Sequence, residues 1–215
     1  MNRRLFAGTV VAATLSLSVV RASAQKSTPD ATPEAESPNK IPLSSQPGFI
    51  KAVVRSFQVE DPEFEDLFGG KLFGVSGTGA EFDTPEHASE TLALIAEVAP
   101  EKLYLGLDGA IDSESVEIEG FDVGDESLAL SISVFFPEGD VFQELLIGMA
   151  MVRKEQFLQI VIGYSLEEAA EQSIALVEVL DDRWPSDDLW EMAPTASDVA
   201  ENMSLDEEKE LLPGE

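Results

Sequence analysis

A chain of 215 residues with 42 Asp and Glu against 13 Lys and Arg carries a formal net charge of −29, and it contains no cysteine. That balance removes the phosphate attraction on which non-specific nucleic-acid binding rests, and it disfavours anionic lipid for the same reason. The missing cysteine excludes a disulfide framework, a thiolate metal site and lipid attachment at a processed terminal cysteine.

Residues 1–24 read as a signal peptide. Arg3 and Arg4 form a basic start, a roughly 15-residue apolar stretch runs from Leu5 to Val20, and Ala22, Ser23 and Ala24 give the small-residue cleavage pattern before Gln25. The apolar run is short for a membrane span, so cleavage and a soluble extracytoplasmic product, secreted or held in the cell envelope, are expected. Arg3-Arg4-Leu5-Phe6 resembles the core of a twin-arginine signal, and Arg21 sits just before the cleavage site; the general and twin-arginine routes both remain open. Losing Arg3, Arg4 and Arg21 takes the net charge from −29 to about −32. Three readings of that surface stand side by side: solubility, adaptation to high salt, or recognition of a cation or basic partner.

Residues 25–46 are rich in Ser, Thr, Pro, Ala and Glu and are expected to be a disordered linker. A single domain is expected over 47–186. Phe49–Val59 has the β-branched and aromatic content of a first strand, and Glu63–Phe68 reads as a short helical turn. Lys71–Phe82 is extended but carries Gly74, Gly77 and Gly79; without a Gly-Lys-Ser/Thr ending these make no phosphate loop, and a bulged or bent strand is the expectation. Thr84 at the N-cap and Pro85 at the first helical position begin a helix with Ala88, Leu92, Ile95 and Ala96 buried, which Pro100 should end near Val98. His87, the only histidine, falls in its first turn, has no nitrogen or sulfur co-ligand, and is expected at the surface.

Lys102–Leu107 reads as a short strand. Asp108, Asp112 and Glu114 gather in a turn and are the calcium candidates, because calcium needs only oxygen ligands, although the spacing is not that of an EF-hand. No other cofactor is expected. Ser115–Phe121 alternates as a half-buried strand with Val116 and Ile118 inward, and Leu128–Phe136 alternates more clearly. Phe142–Val152 is apolar on both faces and should lie inside its sheet, joined through Arg153, Lys154, Glu155 and Gln156 to a second strand, Phe157–Tyr164. Ser165 and Glu168 have capping-box spacing, and Leu166, Ala169, Ala170, Ile174, Val177, Leu180 and Trp184 give the apolar stripe of a helix that Pro185 stops. Beyond it, residues 187–215 are acidic and are expected to be a mostly disordered tail with a glycosylation pattern at Asn202.

The expected fold is α+β: a mainly antiparallel sheet of five to seven strands with two amphipathic helices, Pro85–Val98 and Leu166–Trp184, packed on it. Leu146, Ile147, Val161, Ile162, Ile174, Val177 and Leu180 should be core. The order strand, Gly124-Asp125-Glu126, apolar strand, turn, long apolar strand, Arg-Lys turn, strand and Ala-rich helix resembles the secreted bacterial PsbP-like α/β sandwich domains, which include LpqN-type lipoproteins and extracellular kinase sensor domains. The resemblance implies a binding or accessory role without catalytic residues. No nucleophile with its base and no carboxylate pair is singled out by spacing. A monomeric, non-catalytic exported module with an unknown protein or cationic partner is therefore expected, with a carboxylate-pair hydrolase or a calcium-binding envelope protein as the alternatives.

Overall fold

A computed structural model describes residues 43–59, 74–105, 107, 109–137, 144–165, 168–184, 188–199, 201 and 203–214. The signal peptide, most of the linker, the Glu63–Phe68 turn, Asp108, Leu166 and Asn202 lie outside the described residues. Seven strands form one antiparallel sheet in the order β3-β4-β5-β6-β2-β1-β7: β1 Phe49–Val59, β2 Gly74–Phe82, β3 Asp112–Glu117, β4 Glu126–Phe135, β5 Glu144–Lys154, β6 Phe157–Ser165 and β7 Met203–Leu211. Two helices are described, α1 Pro85–Leu105 and α2 Ala169–Asp181. The α+β expectation holds at that level.

Side chains from the two faces of the sheet enter two separate clusters. Ala88, Leu92, Ile95, Ala99 and Leu103 of α1 join Val54, Phe82, Ile132, Ile147, Met149, Met151, Leu158 and Ile160. On the opposite face, Leu176, Val177 and Leu180 of α2 join Val53, Phe57, Ala150, Val152 and Val161, with Trp184 and Met192 completing the cluster. Strands β5 and β6 feed both clusters, which is why they read as apolar on successive positions rather than alternating.

Several expectations are corrected. Pro100 lies inside α1, not at its end; the helix continues to Leu105 because Ala99 and Leu103 stay buried on the sheet, which offsets the amide and the ring clearance that proline takes away. Lys102–Leu105 is thus helix rather than strand. The Ser165 capping box does not form: Ser165 is the last residue of β6, opposite Leu146 and fully buried, and α2 starts at Ala169 after Glu168 in a left-handed conformation with no side-chain cap. Arg153 and Lys154 belong to β5, leaving a two-residue turn at Glu155 and Gln156. Ile147, Val161, Ile162, Val177 and Leu180 are buried as expected, whereas Leu146 and Ile174 are only half-buried. Leu43, expected in the linker, is buried at 1% exposure in the α1-side core.

The expected tail contains a 3-10 turn at Leu189–Met192 and β7, which pairs with β1 from Ala52↔Leu211 to Val59↔Met203. Strand β1 pairs with β2 along one edge and β7 takes up the backbone groups of the other, so tertiary pairing rather than local pattern makes β7 a strand. The β2 glycines serve the same segment. Pairing of β2 with β6 is unbroken, so β2 is not bulged there. A Cβ at Gly77 would stand 2.8 Å from Pro194 Cγ and closer still to its Cδ, and one at Gly79 would stand 3.0 Å from both the Leu189 carbonyl and Met192 Cβ. The glycines let residues 189–194 lie directly on the sheet.

Candidate functional site

Strand β3 is an outer strand of the sheet. Its sequence, DSESVE, has no basic residue and every position is exposed except the half-exposed Ser113. The expectation of Val116 as an inward residue is corrected: it is 64% exposed, because on its face the strand extends past the α2-side core. Of the calcium candidates, Asp112 and Glu114 fall two apart on β3 and so share a face, opposite Phe135 and Ser133 of β4. Asp112 Oδ1 accepts the Ser113 N–H at 2.9 Å. Asp108 is outside the described residues, and among those described no three carboxylate or imidazole groups gather as an ion would require.

His87 is half-buried rather than fully at the surface, and its Nδ1 lies 2.6 Å from Asp83 Oδ1. The pair is built locally. Thr84 Oγ1 accepts the His87 N–H at 3.3 Å as the N-cap, which sets Asp83 four residues before His87 across the helix start. Gly48 closes it from the other side: Asp83 N donates to Gly48 O at 2.8 Å, and a Cβ on Gly48 would stand 2.8 Å from His87 Cγ and closer still to both bonding atoms. Gly48 also has φ +70, which glycine adopts without strain. The Asp83 hydrogen bond holds the His87 pKa above its ordinary value, opposed by desolvation and assisted by the charges of Asp83, Glu90 and Glu86. Asp83 is the hydrogen-bond partner of the imidazole among the described residues, and the visible work of the pair is to fasten the turn before β1 to α1.

The charge pattern is the less visible feature. Among the described Lys and Arg residues, ion pairs within the chain join Lys51 with Glu81, Arg55 with Glu208, Arg153 with Asp125 and Glu126, Lys154 with Asp181, Arg183 with Asp198, and Lys209 with Glu207. Several also brace the fold. The Arg55 guanidinium stacks 4.7 Å from the Trp190 ring centre, and the Lys154 ammonium stands 5.1 Å from that of Trp184. Arg153 ties the Gly124-Asp125-Glu126 segment to the β5–β6 turn, where Asp125 also accepts the Glu155 N–H at 2.7 Å. Arg183 and Asp198 form a two-point clamp, and Asp198 further accepts the Thr195 N–H at 2.7 Å and its hydroxyl at 2.8 Å. Burial works to raise the Asp198 pKa, yet the Arg183 and Thr195 hydrogen bonds outweigh it and the carboxyl is held below its ordinary value. Sequence reading missed these pairs because partners such as Arg55 and Glu208 meet only through sheet pairing.

Such an arrangement can present carboxylates with few cations among them. No family model, no curated protein and no solved structure matches this chain.

Proposed function

We propose that the chain is an exported, non-catalytic binding or accessory domain whose acidic surface engages a cationic protein partner, with cleavage after Ala24. One observation carries the reading: Lys51, Arg55, Arg153, Lys154, Arg183 and Lys209 are engaged in internal pairs, which leaves exposed carboxylates such as Asp112, Glu114 and Glu117 on β3 and Glu210 on β7 as the charge a partner meets. The PsbP-like resemblance of the Gly124-Asp125-Glu126 region and the strands that follow it is the other ground for a binding or accessory role. Among the described residues no helix is long and apolar enough to cross a membrane.

Binding of the purified mature protein to a lysine-rich and to a glutamate-rich peptide, each in low and high salt, tests the reading. Selective binding of the lysine-rich peptide that weakens with salt is expected; equal binding of both, or binding of neither, overturns it. Mass spectrometry of the exported protein tests the cleavage site, and replacing Arg3 and Arg4 together by lysine stops export only if the twin-arginine route is used.

A further inference from the structure

Strand β3 ends the sheet with one partner, β4, and the register fixes which of its backbone groups face outward. Asp112, Glu114 and Val116 stand opposite Phe135, Ser133 and Ser131, and Ile118 N donates to Ala129 O at 2.9 Å in the same register. Even-numbered positions therefore turn their N–H and C=O toward β4, and Ser113, Ser115 and Glu117 turn theirs away from the sheet. The Ser113 N–H is already taken by Asp112 Oδ1. The Ser115 and Glu117 amides point away from β4, and no described strand lies on that side of β3.

Resting on the proposed cationic partner, we propose that β3 is a docking edge on which an extended Lys- or Arg-rich peptide segment adds as a further strand. The main-chain groups of Ser115 and Glu117 supply the ladder, and alternate side chains supply selectivity. Six residues at about 3.4 Å each give a strip of about 20 Å. On one face Val116, at 64% exposure, offers an apolar contact preceded by Asp112 and Glu114; on the other, Glu117 follows Ser113 and Ser115. Neither β3 nor its neighbour β4 carries a Lys or Arg. Alternation of basic and apolar side chains on the incoming strand matches that surface. A second copy of this chain does not: pairing β3 with β3 sets acids against acids with no cation to offset them. Without a charged partner the edge is thus protected against self-association by the same residues that select the ligand.

The test uses the mature full chain, fluorescent peptides of about eight residues with alternating Lys and Val, and same-charge peptides with Pro in place of Val. The Lys-Val peptide should bind at least about tenfold more tightly than the Lys-Pro peptide, since proline, with its fixed φ and missing N–H, keeps a peptide out of an extended ladder. Ser115→Pro, whose lost N–H points away from β4, should reduce Lys-Val binding to the Lys-Pro level. Amide NMR shifts of Ser115 and Glu117 on adding the Lys-Val peptide give an independent readout should that variant not fold. Equal affinity for the two peptides, or shifts that spare Ser115 and Glu117, overturns edge docking while leaving the acidic-surface reading in place. Binding of neither peptide in low salt overturns both, and a dimer that Ser115→Pro dissociates assigns the edge to a second copy and overturns the peptide proposal.

Discussion

Replacing Gly148 with Ala should be among the most damaging single-methyl changes in this chain. Gly148 lies on β5 beneath the first turn of α2, and a Cβ there would stand 2.5 Å from Ala170 N and closer still to the carbonyl carbon and oxygen of Ala169. These are backbone atoms, so no rotamer change relieves the overlap; the start of α2 has to lift from the sheet. Such overpacking costs about 1–3 kcal/mol. Lifting the helix also stretches the bond from Ser173 Oγ to Gly148 O, 3.1 Å in the structure, whose net contribution is about 1 kcal/mol. A total of about 2–4 kcal/mol follows, which corresponds to a Tm lower by roughly 5–15 °C for a domain of this size. Urea unfolding followed by circular dichroism measures it. Gly120→Ala is the comparison: its φ is +85 but nothing lies within 4 Å of its Cβ, so only backbone strain of about 1–2 kcal/mol applies. A Gly148→Ala variant no less stable than Gly120→Ala would refute the close-packed seat of α2.

Three further outcomes are expected. Because the folded-state pKa of His87 is raised above 6.5, its pairing with Asp83 contributes stability that is complete below that pH and lost as pH rises through the folded value; the Tm advantage of wild type over His87→Gln should shrink across that interval, and an unchanged difference would contradict the pairing. Asp198→Ala should destabilise by about 2–3 kcal/mol by leaving Arg183 and Thr195 without their acceptor, and since the Asp198 pKa is lowered from 3.8, its contribution persists above that pH and disappears as pH falls through the folded value, a dependence that acid titration of Tm reveals in wild type only. Sodium chloride over the molar range should raise Tm by screening a chain of net charge −29, while calcium at matched ionic strength should add nothing further; a larger calcium effect abolished by Asp112→Asn with Glu114→Gln would assign those residues to an ion site instead.

Elements whose stability is local were legible from residues alone. The Phe49–Val59 strand, the Thr84-Pro85 helix start and the alternation through Leu130, Ile132 and Val134 each carry their own signal, in apolar period or cap chemistry, and each appears where that signal lies. Features set by contact between distant segments were not. Ser165 has the right spacing for a cap, but its pairing with Leu146 keeps it in β6, and cap chemistry loses to the ladder. Pro100 carries a stop signal that burial of Ala99 and Leu103 overrides. The β2 glycines have a reason only once residues 189–194 lie across them.

The acidic residues show the same division in functional terms. Composition discloses the excess of carboxylates but not which of them remain available, because that depends on where each cation goes. Arg55 is 153 residues from Glu208, and the pair exists only because β7 lies beside β1. Had β7 been the disordered tail its local sequence suggests, Arg55 would lack Glu208 and the negative charge of that segment would be spread along a mobile chain. Folding β7 onto β1 neutralises Arg55 and fixes Glu210 at one outer strand, while Asp112, Glu114 and Glu117 are fixed at the opposite one. Sheet order therefore converts a net charge, which favours any cation equally, into two outer strands with defined spacing. On the proposed edge-docking reading, a partner is then distinguished by whether its cations alternate in an extended segment as well as by how many it has.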